Sequence, residues 1–113
     1  MAELTPTPDA KDVADNKVFA ILAYFGILFL IPLLAAKESP FARFHTNQGL
    51  ILCIAYIAVM IAVIILGAIS AILGLISSVL YLGLFVLSIL GAISAARGET
   101  KELPLIGTFK LIQ

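Results

Sequence analysis

Tryptophan is missing from this sequence, histidine and cysteine occur once each, and charge is scarce: seven Lys and Arg and seven Asp and Glu stand in 113 residues. Each shortage excludes something. A lone Cys53 cannot form an intramolecular disulfide. One histidine and one cysteine do not supply the three or four ligands that zinc takes from a protein, so no metal site is expected. A net charge of zero without any basic run argues against nucleic-acid binding. Charged residues make up 12% of the chain, against about 25% in soluble domains. They are wholly absent from Val18 to Ala36 and from Gly49 to Ala96.

Those two uncharged stretches, 19 and 48 residues long, decide the class. About 20 apolar residues span a bilayer as a helix, so the first stretch makes one span and the second makes two. The expectation is an all-α integral membrane protein with three transmembrane helices, at about 18–36, 46–67 and 78–97. Residues 1–17 form a polar, mobile N-terminal tail, 18–98 the membrane domain and 99–113 a C-terminal interfacial segment. A cleaved signal peptide is not expected, because it requires a basic start and a shorter apolar region, whereas "MAELTPTPDAKDVADNK" has four acids against two lysines.

Within the first stretch, Pro32 removes a backbone donor and crowds the carbonyl of Leu28, which predicts a bend there. Tyr24 is expected to bond to a neighbouring helix or to backbone. Ser39 followed by Pro40 is an N-cap and first-turn pair, so the second helix begins near Pro40, ahead of its lipid-embedded part. That early part holds the densest polar cluster of the chain, "SPFARFHTNQGL". Helical spacing puts His45, Gln48 and Gly49 along one side, where His45 and Gln48 can face the first helix. Arg43 and Asn47 make a wetter strip, and Phe41 and Phe44 are expected to dip into the acyl boundary. The turn between the second and third spans is expected as frayed helix around Gly74. In the third span Ser88, Ala92 and Ala96 form one ladder of small residues and Gly91 with Ala95 another, a pattern that favours close helix packing in lipid.

Three spans put the tail on one side of the membrane and the 37–45 loop with the C-terminus on the other. Lys and Arg number two on the first side and five on the second. The positive-inside rule then makes the N-terminus external and the 37–45 loop and C-terminus cytoplasmic, in an inner or plasma membrane. Lys37, Arg43, Arg97 and Lys101 are candidates for contact with anionic lipid.

"YFGILFLIPLL", "SPFARFHTNQGLIL", "GAISAARGE" and "LPLIG" together resemble a family of small bacterial membrane proteins described as Tic-twenty-like, with magnetosome-membrane proteins of the MamF and MmsF kind among its members. The likeness is carried by Tyr24, Pro32, Phe44, His45, Gln48, Gly49, Gly91, Gly98, Pro104 and Gly107. Its most specific element is Phe-His-x-x-Gln-Gly at 44–49. The resemblance implies a helical hairpin plus one helix, with roles in membrane assembly, protein import or organelle maturation and no established enzyme activity. The plastid import component has a further span that this chain lacks.

Function follows by elimination. No nucleophile or oxyanion donor set accompanies His45, so no catalytic residue and no cofactor are expected. No Asp, Glu, Lys, Arg or His lies inside the apolar stretches, where transporters and proton channels place theirs, and only Tyr, Ser and Cys offer polarity there. What remains is a helix-packing, assembly or scaffold module, in a homo-oligomer or a larger membrane complex. The alternative is a small homo-oligomeric pore or an accessory subunit of a translocation or transport complex. Candidate interaction residues are Tyr24, Pro32, Phe44, His45, Gln48 and Gly49, and candidate packing residues are Ser88, Gly91, Ala92, Ala95 and Ala96.

Overall fold

A computed structural model describes residues 9–104 and 106, and all regular structure among them is helical. Helix α1 spans Ala10–Leu22, a 3-10 turn covers Gly26–Phe29, and α2 spans Leu30–Ala35. Then come α3 (Pro40–Ile69), α4 (Ala71–Ser77) and α5 (Val79–Ala96). Two helical segments, Pro40–Ile69 and Ala71–Ala96, are long and apolar enough to cross a membrane. Only 17% of either apolar window is buried, which a core helix of a water-soluble protein would not tolerate. Ile57, Ile61, Ile64, Ile72, Leu75, Leu82 and Phe85 all face outward. Such an outer surface is consistent with an integral membrane protein.

Helix α3 begins where the Ser-Pro pair predicts. The Ser39 hydroxyl accepts the N–H of Ala42 at 2.9 Å, and Pro40 occupies the first turn, where its missing donor costs nothing. Thirty residues carry α3 about 45 Å, more than the roughly 30 Å of a hydrocarbon core. It stops at Ser70, whose extended backbone (φ −158°, ψ 134°) breaks the helix and whose side chain caps α4. The turn expected around Gly74 therefore lies four residues earlier. Gly74 is instead buried inside α4, its Cα packed against Gly67 so closely that an added Cβ would stand 2.8 Å from that backbone.

The first apolar stretch is not one helix. The sequence expectation of a single span over 18–36 fails at Tyr24–Gly26, where Gly26 adopts φ +62°, a conformation that only glycine enters freely. Pro32, where the bend was expected, lies in the first turn of α2 and needs no hydrogen-bond partner there. The polar segment from Ala10 to Lys17, expected as mobile tail, is the first half of α1. Asp9 caps that helix by accepting the N–H of Asp12 at 3.2 Å, and Asp12 in turn reaches the start of α3. The end of α2 also comes back beside Asp12 and Asn16, around a shallow cleft that includes Leu34 and Lys37. The stretch therefore folds as a short hairpin against one half of the long α3–α5 pair.

Burial follows that arrangement. In α3 every buried residue lies between Phe41 and Leu52, and none in the following turns. The core, centred on Ala20, Ala23, Tyr24, Phe29, Phe41, Leu52, Leu84 and Ala95, fills the half where the short hairpin is present.

Candidate functional site

The polar cluster predicted as an interfacial threshold is the buried centre of the charged end. His45, Thr46, Asn47 and Gln48 are each no more than 3% exposed. Burial on this scale demands that the polar groups be paired. The Thr46 hydroxyl donates to the Ala42 carbonyl at 2.7 Å, within its own helix. His45 bonds on both sides: Nδ1 lies 2.5 Å from the Tyr24 hydroxyl and Nε2 lies 2.6 Å from the carbonyl oxygen of Glu99. A carbonyl only accepts, so in the neutral ring Nε2 carries the proton and Nδ1 accepts from Tyr24. The Gln48 Oε1 accepts the N–H of Leu103 at 2.8 Å.

These bonds join three parts of the chain that are far apart in sequence. Tyr24 comes from the tip of the short hairpin, His45 and Gln48 from α3, and Glu99 and Leu103 from the segment after α5. That segment is turned back by Gly98 (φ +74°), with Gly98 and Glu99 donating to the carbonyls of Ala95 and Ser94 in a helix-terminating motif. Three aromatic rings, Tyr24, Phe41 and Phe44, meet the His45 imidazole edge-on at 4.9–5.4 Å between centroids. Phe41, expected in the acyl boundary, is 1% exposed, because α1 covers it. Asn47, expected on a wetter strip, is 3% exposed. Phe44 is half-buried.

A second clamp was not legible in the sequence. Asp12 of α1 accepts from the Ser39 hydroxyl at 2.5 Å and from the backbone N–H of Phe41 at 3.0 Å, while Asn16 donates to it at 2.8 Å. Partial burial pushes the Asp12 carboxyl up, but the bonds from Ser39, Phe41 and Asn16 together outweigh it and hold the group below the ordinary carboxylate range. The three-residue spacing of Asp9, Asp12 and Asp15 puts them to separate uses: Asp9 caps α1, Asp12 clamps α3, and Asp15 pairs with exposed Lys11 at 2.9 Å. Beside the clamp opens a cleft of about 510 Å³, lined by Asp9, Asp12, Asp15, Glu38, Phe41 and Phe44 among others.

The small-residue positions divide. Gly91 lies under the Tyr24 ring, where an added Cβ would stand 2.1 Å from Cε1. Gly49 faces the backbone of Ala23, whose carbonyl oxygen would stand 1.9 Å from such a Cβ. Ala95 is fully buried, Ala92 half-buried and Ala96 exposed. Ser88 is buried and lies 3.0 Å from the Tyr56 hydroxyl, a bond between α5 and α3. Pro32 is buried in α2. Of the four basic candidates, Lys37, Arg97 and Lys101 are exposed and Arg43 is half-buried.

The site thus locks a membrane-protein fold through one histidine, one tyrosine and one glutamine. The model of the magnetosome magnetite crystal formation protein family, the MamF and MmsF proteins, matches residues 15–111. The chain belongs to this family. It is 34% identical over 108 residues to the magnetosome protein MamF of Magnetospirillum gryphiswaldense, covering 94% of each chain. MamF of Paramagnetospirillum magneticum is 38% identical over 92 residues, covering 81% of this chain and 79% of that one. A membrane protein of Methanocaldococcus jannaschii is 33% identical over 95 residues, covering 82% of this chain and 66% of that protein. These matches support the magnetosome part of the resemblance and give none to its Tic-twenty part. No solved structure matches the chain significantly.

Proposed function

We propose that this chain is a non-enzymatic assembly module of a magnetosome-type membrane, contributing to crystal formation by organising other components and not by chemistry of its own. The observation that carries this reading is that His45 and Gln48 are committed to structural hydrogen bonds. Both nitrogens of His45 are engaged by Tyr24 and Glu99, and the Gln48 carbonyl oxygen is engaged by Leu103. A general base or metal ligand needs a nitrogen free for its substrate or ion, and this imidazole has none.

Outside that core, the protein offers two kinds of surface: an uncovered belt of Ile, Leu, Val and Phe, and a charged end. The belt suits lipid and neighbouring helices. Lys37, Arg43, Arg97 and Lys101 at the charged end suit anionic headgroups, worth about 1 kcal/mol per basic residue near such a surface. By the positive-inside rule, the short connection before α3, the first turns of α3 and the segment after α5 lie in the cytoplasm.

The test is the mass and composition of the native complex, extracted with surrounding lipid into polymer nanodiscs and analysed by mass spectrometry. A homo-oligomer, or a foreign membrane protein in fixed stoichiometry, is the expected result. A monomer without protein partners would overturn the assembly reading.

A further inference from the structure

We propose that the first apolar stretch enters and leaves the membrane through the same face. The chain then crosses twice, and its ionic contacts are confined to one compartment. The inference rests on the membrane reading above and deepens it, by stating from which side the protein can be met.

Length is the first ground. Helix α1 has 13 residues, about 20 Å, and begins in polar sequence, so it cannot cross a hydrocarbon core of roughly 30 Å. Direction is the second. Asp12, in the first turn of α1, holds Ser39 and Phe41 at the start of α3. A first stretch that crossed the membrane would put those groups on opposite faces. Depth is the third. The hairpin tip, Tyr24 to Gly26, shares a cleft with Tyr56 and Ser88, near the middle of α3 and of α5. Beyond that level Ile57, Met60, Ile61 and Ile64 of α3 are exposed.

A reversal at membrane depth is tolerated only where protein covers it and its backbone groups are satisfied. Protein covers the first part of the reversal, Ala23 and Tyr24, while Phe25, Gly26, Ile27 and Leu28 are exposed and present only apolar side chains or none to lipid. Ala23, Tyr24, Phe25 and Leu28 donate to the carbonyls of Ala20, Ile21, Leu22 and Phe25 at 3.2–3.3 Å. Ala23 and Tyr24 are each 1% exposed, pressed onto Gly49 and Gly91.

The consequence concerns charge. α1 starts, α3 starts and α5 ends at one end of the molecule, and every charged group among the described residues belongs to these segments or their loops. The opposite end, from Gly67 to Ser78, carries only aliphatic side chains, glycine and serine hydroxyls. It has no charged side chain with which to hold an ion or a charged mineral face. A partner recognised by charge must therefore approach from the face that carries Asp12, Glu38, Arg97 and Lys101.

The proposal is tested by labelling single cysteines with a membrane-impermeant maleimide, in sealed vesicles of both orientations. The parent carries Cys53→Ala, and Ala14→Cys, Glu38→Cys and Ile72→Cys are introduced one at a time. Positions 14 and 38 are expected to label from one side and position 72 from the other. Labelling of 14 together with 72, opposite to 38, would overturn the proposal in favour of three crossings. Labelling of all three from one side would overturn it together with the membrane-spanning reading. Independently of any substitution, topology reporters fused to the two termini should report the same compartment, and opposite compartments would again mean three crossings. A two-crossing result with a partnerless monomer would sink the assembly reading alone.

Discussion

At Gly49 and Gly91 the absence of a single carbon sets how closely the short hairpin approaches the long helices. Gly49→Ala drives a methyl into the Ala23 carbonyl, which is backbone and cannot rotate away. The expected cost is about 1–3 kcal/mol, the usual range for overpacking, read as a lower melting temperature in detergent. Gly83 provides the contrast, since nothing lies within 4 Å of its would-be Cβ and it sits inside α5. Gly83→Ala should be neutral or stabilising by up to about 1 kcal/mol, because alanine orders a helix at lower entropic cost. Equal losses at positions 49 and 83 would show that the close approach to Ala23 is not what position 49 responds to. Tyr24→Phe removes the donor to His45 Nδ1 and leaves that buried nitrogen unpaired, a loss of about 1–3 kcal/mol by the same measurement. The sequence marked Tyr24, His45, Gln48 and Gly91 as candidates through their residue type in a greasy setting. It did not reveal their partners, because Glu99 and Leu103 contribute backbone groups, which no side-chain pattern announces.

Among the elements, two latches connect segments that sequence alone treats as separate. The segment after α5 is held to α3 by His45 and Gln48. Gln48→Leu leaves the Leu103 N–H without its acceptor, and faster hydrogen exchange over 99–104 with α3 unchanged is the expected result. Helix α1 is held to α3 by Asp12. Its carboxyl lies below the ordinary range, so the clamp is fully present above the unfolded-state value of roughly 3.9 and is lost as the pH falls through the lower folded value. The melting temperature should hold from pH 7 to pH 5 and decline toward pH 3, and Asp12→Asn should decline less over the same interval. An equal decline in both would assign the acid sensitivity to other carboxylates. The Ser-Pro start of α3 was legible because a cap is a local device. The clamp was not, since Asp12 lies 27 residues from Ser39 and an exposed acidic helix start reads the same with or without a partner.

For the molecule as a whole, the placement of charge is the feature with functional consequence. If the basic residues of the charged end meet anionic headgroups, then Lys37→Gln, Arg97→Gln and Lys101→Gln combined should reduce anionic lipid retained in native mass spectra. The expected loss is about 1 kcal/mol for each residue. Retention unchanged in the triple variant would remove these side chains from lipid binding. The oligomer, if it forms through the apolar belt, should survive this variant, which separates the two surfaces.

Class and helical content were determined by the sequence itself. Two long uncharged stretches leave a chain no way to be soluble, and in lipid the backbone of such a stretch must bond to itself. The helix start at Ser39–Pro40 and the importance of His45 and Gln48 were also readable, because caps and buried polar groups depend on local chemistry. Only the tertiary structure decided that the first stretch turns back. Nineteen apolar residues are long enough to cross, and hydropathy weighs composition without direction. The choice between crossing and returning was made by Gly26 entering a left-handed conformation, by Tyr24 seated between Gly91 and His45, and by Asp12 closing on Ser39. Each of these is a contact across the fold, and their energies belong to no single segment of the chain.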